Sequence, residues 1–216
     1  MNSREQILDK LRNRIGAGLP FPTVSPLITY RPMVPRNEAT PAALLAQFVA
    51  EAQKAACVVH QVETAAAAIA VVLQIVGEDT AVSSWDLAHI PIPGLAEALH
   101  NAGIARVGQD ASVRVGLTGI DAALAATGSI VVMSGNGRFR AASLLPPVHI
   151  AVVTTSQIMP DLESWWAAQK AAGLQRTRQH SNIVVITGPS RTADIAMQLV
   201  MGMHGPRELH LVLLQE

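Results

Sequence analysis

The stretch GSIVVMSGNGRFRAASLLPPVHIAVV, residues 128–153, holds two apolar runs separated by a loop with two glycines and two arginines. The runs GSIVVMS and HIAVV are short and rich in β-branched residues, which is typical of strands buried within a sheet. Pro146-Pro147 restricts the backbone just before the second run. The loop has two interpretations: a tight turn whose arginines are solvated, or a cradle for a small anionic molecule.

Similar apolar runs occur on both sides of this stretch and alternate with segments of helical pattern. Further strands are predicted at ACVVHQV, TAVSSW, ARV, SVRVGL, NIVVITG and ELHLVLL. Helices are predicted at ETAAAAIAVVLQIVG, GLAEALHNAG, GIDAALAA, LESWWAAQKAAG and RTADIAMQLVMGM. This alternation indicates an α/β fold layered around a largely parallel sheet.

The N-terminal part has a different pattern. The run NSREQILDKLRNR predicts an amphipathic helix with Ile7, Leu8 and Leu11 on its apolar face. A proline-rich segment follows over residues 16–36 and predicts extended backbone. Thr40-Pro41 then predicts the start of a second helix. We therefore expect an N-terminal helical and proline-rich extension, residues 1–38, and an α/β domain, residues 39–216.

Composition limits the classes of function. The chain has 16 basic and 16 acidic residues, which argues against broad electrostatic binding to nucleic acid or to an anionic membrane. Its only cysteine, Cys57, excludes an internal disulfide and cannot supply the four thiolates of an ordinary iron–sulfur cluster. The N-terminus lacks a signal-peptide core, and the longest apolar run is too short to span a bilayer. We therefore expect a cytoplasmic protein.

Several common site motifs are missing from the sequence. The seven histidines show no HExxH or similar spacing, so no metal site is predicted. There is no Walker loop, and no GxGxxG follows the first strand. Ser143, His149 and Asp194 are imaginable as a hydrolytic triad, but Ser143 lacks the Gly-x-Ser-x-Gly elbow of such a nucleophile. Serine hydrolysis is therefore disfavoured.

Three loops at predicted strand ends carry the candidate site residues, because ligands of open α/β sheets lie beyond the carboxyl ends of strands. In the first loop, Thr118-Gly119 makes a turn and Asp121 lies in the first turn of a predicted helix. The spacing of Thr118 and Asp121 resembles a capping box. The loop is either a capped helix or a site where Asp121 contacts a ligand.

The second loop belongs to the opening stretch. Gly135 and Gly137 allow positive φ, so their backbone amides could form a nest for an anion. Arg138 and Arg140 could then clamp a carboxylate or a phosphate, with Ser143 on the following turn. Gly-Asn-Gly is also a common hairpin turn, and paired arginines are commonly solvated. Both interpretations stay open.

The third loop follows the strand NIVVITG. The strand stops at Gly188-Pro189, and Ser190 is predicted to cap a helix that carries Arg191 and Asp194 in its first turn. An ordinary capped helix explains everything except an arginine at the positive end of the helix dipole. That arginine is a hint that an anion binds there.

Three runs resemble the lactate-utilisation protein C group within the LUD-domain family: GLTGIDAALAATGSIVVMSG, SLLPPVHIAVV and ITGPSRTADIAMQLVMGMHGPREL. The resemblance covers roughly residues 113–214, and the N-terminal extension is also similar to this group. It implies a three-layer α/β sandwich like that of sugar-phosphate isomerases and CoA transferases, the NagB/RpiA/CoA-transferase type. It also implies a part in oxidising L-lactate to pyruvate, alongside partner proteins that carry iron–sulfur clusters.

The resemblance transfers no catalytic residue. Many relatives have an acid in the run before the strand GSIVVMS, where this chain has Ala126, so Asp121, His149 and Asp194 are the remaining candidates for acid–base work. The full set of expected ligand-binding residues is Thr118, Gly119, Thr127, Gly128, Ser134, Gly135, Gly137, Arg138, Arg140, Ser143, Ser190 and Arg191.

Three functions remain open at this point. The favoured one is a ligand-binding subunit of a lactate-oxidising system that binds no cofactor itself, with Arg138, Arg140 and Arg191 holding an anion. On this hypothesis, replacing Arg138 and Arg140 together abolishes anion binding with little loss of stability. The second is a stand-alone enzyme acting on a sugar phosphate, a CoA ester or a folate-like anion. The third is a purely structural subunit, and self-association is left open in all three.

Overall fold

A computed structural model describes residues 3–16, 40–108, 110, 112–193 and 199–215. The chain divides into two units, residues 1–33 and 34–216. In the first unit, α1 (Ser3–Gly16) confirms the predicted N-terminal helix, and Ile7 and Leu11 are exposed on it. Beyond Gly16, the proline-rich segment predicted to be extended lies outside the described residues.

The second unit is built on a six-stranded parallel sheet. In spatial order its strands are β1 (Val58–Val62), β12 (Glu208–Leu214), β7 (Val148–Thr154), β4 (Val115–Thr118), β2 (Ala81–Ser84) and β3 (Ala105–Val107). Every neighbouring pair is parallel. The central strand β7 is buried along its whole length, which explains why its sequence is a continuous apolar run rather than an alternating one.

Helices connect and cover these strands. They are α2 (Pro41–Lys54), α3 (Ala65–Val76), α4 (Leu95–Asn101), α5 (Leu162–Ala171) and α6 (Gln175–Gln179). The predicted start of α2 is confirmed, because Thr40 accepts a hydrogen bond from the Ala43 backbone N–H and Pro41 occupies the first turn. Each described helix is too short or too polar to cross a membrane.

A second, four-stranded sheet carries the other apolar runs. Its strands, in spatial order, are β8 (Ile158–Met159), β5 (Ala122–Leu124), β6 (Ser129–Ser134) and β9 (Asn182–Ile186). Here β6 is antiparallel to both β5 and β9. A small core of Trp165 and four side chains of β5 and β6 packs between this sheet and α5. Each apolar run that was predicted to be a strand is a strand.

Two predicted helices are wrong. The run GIDAALAA forms β5, where Ala122, Ala123 and Leu124 are buried, so sheet pairing overrides the helix propensity of its alanines. In the run RTADIAMQLVMGM, the described residues form an antiparallel ribbon of β10 (Arg191–Ala193) and β11 (Leu199–Met201). The β-branched pair Thr192 and Val200 lies directly across this ribbon, as suits a strand rather than a helix.

The parallel sheet has one point where its strand order reverses. The chain passes from β2 outward to β3, whereas β4, β7 and β12 then add in turn on the other side of β2. The reversal lies between β2 and β4. In open α/β sheets, the crevice beyond the carboxyl ends of such strands is where ligands bind.

Candidate functional site

A cavity of about 260 Å³ opens beyond the carboxyl ends of the central parallel strands. Its wall includes His89 after β2, Ile120 after β4 and Gln157 after β7, so it lies at the reversal of strand order. We call it the carboxyl-end cavity. Among the described residues, its lining is Ala88, His89, Pro91, Ile120, Arg138, Gln157 and Arg176.

Asp121 forms ion pairs with two arginines that line this cavity. Its side chain is 1% exposed, and Oδ2 accepts hydrogen bonds from the Met133 backbone N–H at 2.7 Å and from Arg138 Nη2 at 2.8 Å. Oδ1 accepts from Arg176 Nη2 at 3.0 Å. Asp121 therefore lies in the loop between β4 and β5 and binds Met133 near the end of β6 and Arg138 in the loop that follows β6. Its predicted place in the first turn of a helix is wrong. A carboxylate engaged by three donors is suited to holding the two arginines in place.

Arg138 lies in a buried, aromatic setting. Its side chain is 8% exposed, and its guanidinium carbon lies 4.2 Å from the centroid of the Trp85 ring. Nη1 lies 2.9 Å from His180 Nε2, and the buried Nε has no partner among the described residues. The guanidinium is therefore fixed in position, with two of its five N–H donors engaged by His180 and Asp121.

His180 links Arg138 to the short helix α6. Its Nδ1 lies 2.5 Å from the backbone oxygen of Arg176. Arginine only donates and a carbonyl only accepts, so this geometry requires His180 to accept through Nε2 and donate through Nδ1. His180 thus couples the two arginines on either side of Asp121.

Two guanidiniums share one carboxylate at this cavity, which leaves one positive charge in excess. Arg176 is the accessible member of the pair, because its side chain is 60% exposed whereas that of Arg138 is 8% exposed. The carboxylate of nearby Asp86 pairs with Arg106 at 3.4 Å. Planar guanidiniums suit carboxylates and phosphates, so this wall is chemically fitted to a small anion.

The glycine-dotted loop is a tight hairpin. The backbone N–H groups of Gly135 and Arg138 each donate to the other residue's carbonyl, at 3.1 and 3.0 Å. Of the two glycines, Gly137 has a positive φ of 69°, and Gly135 does not. A Cβ on Gly137 would lie 3.3 Å from His89 Nε2, so the turn packs closely on the cavity wall. The hairpin interpretation of Gly-Asn-Gly is confirmed, and the Gly135 N–H, one of the amides predicted to cradle an anion, is used within the hairpin.

Arg140 lies apart from Arg138, in a second cavity of about 290 Å³. We call this cavity the β9 groove. Its lining is Arg140, Ser143, Leu144, Val184, Val185, Ile186, Thr187, Gly188, Ser190, His204, Gly205 and Pro206. The structure therefore brings together three predicted ligand-binding residues from two different loops, Arg140, Ser143 and Ser190.

The third predicted loop is built differently from expectation. Ser190 caps no helix: its backbone N–H donates to the Pro206 carbonyl and its Oγ accepts from the His204 N–H at 3.3 Å. Arg191 is exposed and begins β10, so it does not lie at the positive end of a helix. The candidate Asp194 lies outside the described residues.

The other predicted site residues line neither cavity, and of them Thr127 is exposed. Thr118 and Ser134 are buried, and the hydroxyls of Thr127 and Ser129 hydrogen-bond to each other at 2.7 Å. A Cβ on Gly119 would lie 2.4 Å from the backbone oxygen of His89, so this glycine serves close packing. These residues support the loops around the cavity rather than line it.

His149, a candidate for acid–base work, is buried within β7. It is 0% exposed, and its Nε2 lies 2.9 Å from Thr118 Oγ1. Burial lowers the pKa of its imidazole from 6.5 to about 3, so the ring is neutral near pH 7. It has no exposed atom with which to exchange a proton with a ligand.

We expect His149 to make the protein less stable in mild acid. The folded state keeps the ring neutral while the unfolded chain protonates it below about pH 6.5, so the free energy of unfolding decreases as the pH falls towards 3. Between about pH 7 and about pH 5 the loss should reach about 2 kcal/mol. Urea denaturation of the wild type and of His149→Gln at both pH values measures it. An equal loss in the two proteins would exclude His149 as the cause.

Sequence reasoning missed three polar residues that line the carboxyl-end cavity and two residues that hold Arg138 behind it. Trp85, His89, Gln157, Arg176 and His180 were not singled out. Trp85 and His89 follow a predicted strand, so a search of every strand's carboxyl end would have found them. Arg176 and His180 lie in the polar run QRTRQH, which has no motif and no apolar period, and only their tertiary contacts identify them.

Comparisons with known proteins agree with this architecture. The model of the family described as LUD domain matches residues 45–214. A lactate utilization protein C from Halalkalibacterium halodurans is 37% identical over 107 residues, which are 50% of this chain and 46% of that protein. Another from Bacillus licheniformis is 32% identical over 139 residues, which are 64% of this chain and 52% of that protein. The chain thus spans about half the length of the curated relatives it matches.

A solved structure supports the fold. The crystal structure of a DUF162 family protein from Deinococcus radiodurans matches with a TM-score of 0.60 at 23% sequence identity. The match covers 81% of this chain and 98% of that chain. It confirms the predicted class, a three-layer α/β sandwich with a largely parallel sheet.

Proposed function

Since the chain belongs to the LUD domain family, we propose that it is a ligand-binding component of a lactate-oxidising system. The curated relatives described above carry the name lactate utilization protein C, which supports this proposal. One cysteine cannot hold an ordinary iron–sulfur cluster, so electrons that pass through clusters would do so on partner proteins. The chain's own task is then to bind and orient a small organic acid.

The proposed ligand site is the carboxyl-end cavity, and the ligand is a 2-hydroxy or 2-keto monocarboxylate such as lactate or pyruvate. One observation carries this assignment: two guanidiniums share the single buried carboxylate of Asp121 at the reversal of strand order. A volume of about 260 Å³ lies below the range that drug-sized ligands occupy, roughly 300–1,000 Å³, so it suits a small acid.

In the proposed complex, each polar group of the wall has a separate task. The ligand carboxylate binds the free N–H groups of Arg176, while Asp121 holds that guanidinium from behind. Arg138 contributes its positive charge from its fixed position on Trp85. His89 and Gln157 line the same cavity and have donors for the hydroxyl or keto oxygen of the ligand.

Replacing Arg176 with glutamine should raise the Kd for pyruvate or lactate by about tenfold or more, because a charge-assisted hydrogen bond contributes about 1.5–3 kcal/mol. The melting temperature should change little, since the side chain is 60% exposed. Arg178→Gln is the matched control: it removes the same charge from the same helix, at an exposed residue outside the cavity lining. Isothermal titration calorimetry measures all three proteins.

The same titrations separate the alternatives. If the wild type and Arg176→Gln bind pyruvate and lactate with equal affinity, the ligand does not bind in the carboxyl-end cavity. Binding of a sugar phosphate or a CoA ester in preference to both lactate and pyruvate would favour the stand-alone enzyme. Absence of binding by any of these anions would contradict a ligand-binding role for the isolated chain.

A further inference from the structure

We propose that β9 is a docking edge, to which an extended acidic segment of a partner protein adds as a further strand along the β9 groove. This inference is independent of the ligand in the carboxyl-end cavity. It concerns the other cavity and the open side of the second sheet.

The first support is the position of β9 in its sheet. β9 pairs with β6 on one side and is the last strand of the four. Within the described residues, no backbone hydrogen bond joins residues 183–187 to anything outside that pairing. An edge strand of this kind presents a row of free N–H and C=O groups, which is what an added strand requires.

The second support is the path of the groove. Five consecutive residues, 184–188, line it. Because side chains of a strand alternate between its two faces, a groove that borders consecutive residues follows the edge of the strand, where the backbone groups point. The space beside β9 therefore runs in the direction that an added strand would take.

The third support is the character of the edge. Ile183 is 38% exposed and Val185 is 43% exposed, and β9 contains neither lysine nor proline. Proteins commonly protect edge strands with those residues against unwanted pairing. Across the groove, Leu144 is 37% exposed and adds apolar surface to the opposite wall. An unprotected apolar edge of this kind fits a partner with apolar residues at alternate positions.

Charge selects the kind of partner. Among the residues that the structure describes, the groove is lined by Arg140 and His204 and by no acidic side chain, and Arg140 forms no ion pair with any of them. A second copy of this chain that paired edge to edge would bring a second Arg140 and, among the described lining residues, no carboxylate, so like charges would meet. A segment with an acidic residue among its apolar ones complements the groove.

The test uses a phage library of random short peptides, panned on the full-length protein. Peptides with alternating apolar residues and at least one Asp or Glu should be enriched, and a synthetic peptide of the consensus is then the probe. Val185→Lys, which protects the edge, and Arg140→Glu, which reverses the charge, should each weaken its binding by about tenfold or more. Arg178→Glu is the control for charge alone and should bind as the wild type does.

Two further measurements distinguish strand addition from other contacts. Hydrogen exchange should show new protection of the β9 backbone amides when the peptide binds, and a peptide with Lys in place of its acid should bind Arg140→Glu better than wild type. The proposal is overturned if no such peptide is enriched, if Val185→Lys binds the probe unchanged, or if β9 gains no protection. The proposal is also overturned if the wild-type protein forms a dimer that dissociates in Val185→Lys, since a second copy of the chain would then occupy the β9 groove.

Discussion

Replacing Asp121 with alanine is expected to lower the free energy of unfolding by about 3–5 kcal/mol, the usual effect of breaking a buried ion pair from one side. The Arg138 guanidinium, 8% exposed, would keep its charge without the carboxylate that compensates it. The Met133 backbone N–H would lose its acceptor at the same time. Denaturation by guanidinium chloride, followed by circular dichroism, measures the change.

Two other variants test the cause of that loss. Arg176→Ala removes the partner on the exposed side of the same carboxylate and should lower the free energy of unfolding by less than about 1 kcal/mol. The double variant Asp121→Ala/Arg138→Met should recover part of the loss, because no unpaired charge is left buried. If Asp121→Ala were no more destabilised than Arg176→Ala, the buried pair would not be what holds this hairpin.

The same contacts change an expectation drawn from the sequence. Arg138 and Arg140 are two residues apart and were expected to clamp one anion and to be replaceable with little loss of stability. The hairpin at Gly135–Arg138 directs Arg138 onto Trp85 and Asp121, and the chain then enters a short helical turn that carries Arg140 to the β9 groove. We therefore expect that removing Arg138 destabilises the protein and that removing Arg140 does not.

Much of the fold followed from the sequence, and one of the two wrong helix predictions shows why part of it did not. Strands buried on both faces, such as β7 and β12, are continuous apolar runs, and turn residues separate them clearly. The segment GIDAALAA has the alanines of a helix, yet β6 and β8 pair with it on both sides. Partners from residues 129 and beyond supply that pairing, so no local pattern contains it.

The candidate site was predicted in parts. Asp121 and the two arginines of the hairpin were identified because polar residues at strand ends mark the binding edge of an α/β sheet. Their grouping was wrong, since the direction of a side chain after a tight turn depends on tertiary packing. Arg176, which completes the pair on Asp121, comes from a helix 55 residues away along the chain. Contacts of that range leave no periodic or motif signal.

Gly128, expected to be a ligand-binding residue, has a packing role that predicts a second large effect. Its φ is +63°, and a Cβ placed on it would lie 2.1 Å from the Ala52 backbone nitrogen and 2.4 Å from the Glu51 carbonyl carbon. These atoms belong to the backbone of α2, which cannot move aside as a flexible side chain would. The start of β6 therefore packs directly on the end of that helix.

Gly128→Ala is expected to lower the free energy of unfolding by about 3–5 kcal/mol, from about 1–2 kcal/mol for left-handed backbone and the rest for overlap with α2. Gly103→Ala is the matched control, because Gly103 has a φ of +69° and nothing within 4 Å of the added Cβ. Gly103→Ala should lower the free energy of unfolding only by about 1–2 kcal/mol, which is the cost of left-handed backbone. Urea denaturation of both variants measures the difference. Since the two positions differ in contact and not in conformation, equal losses would mean that β6 does not depend on this close approach to α2.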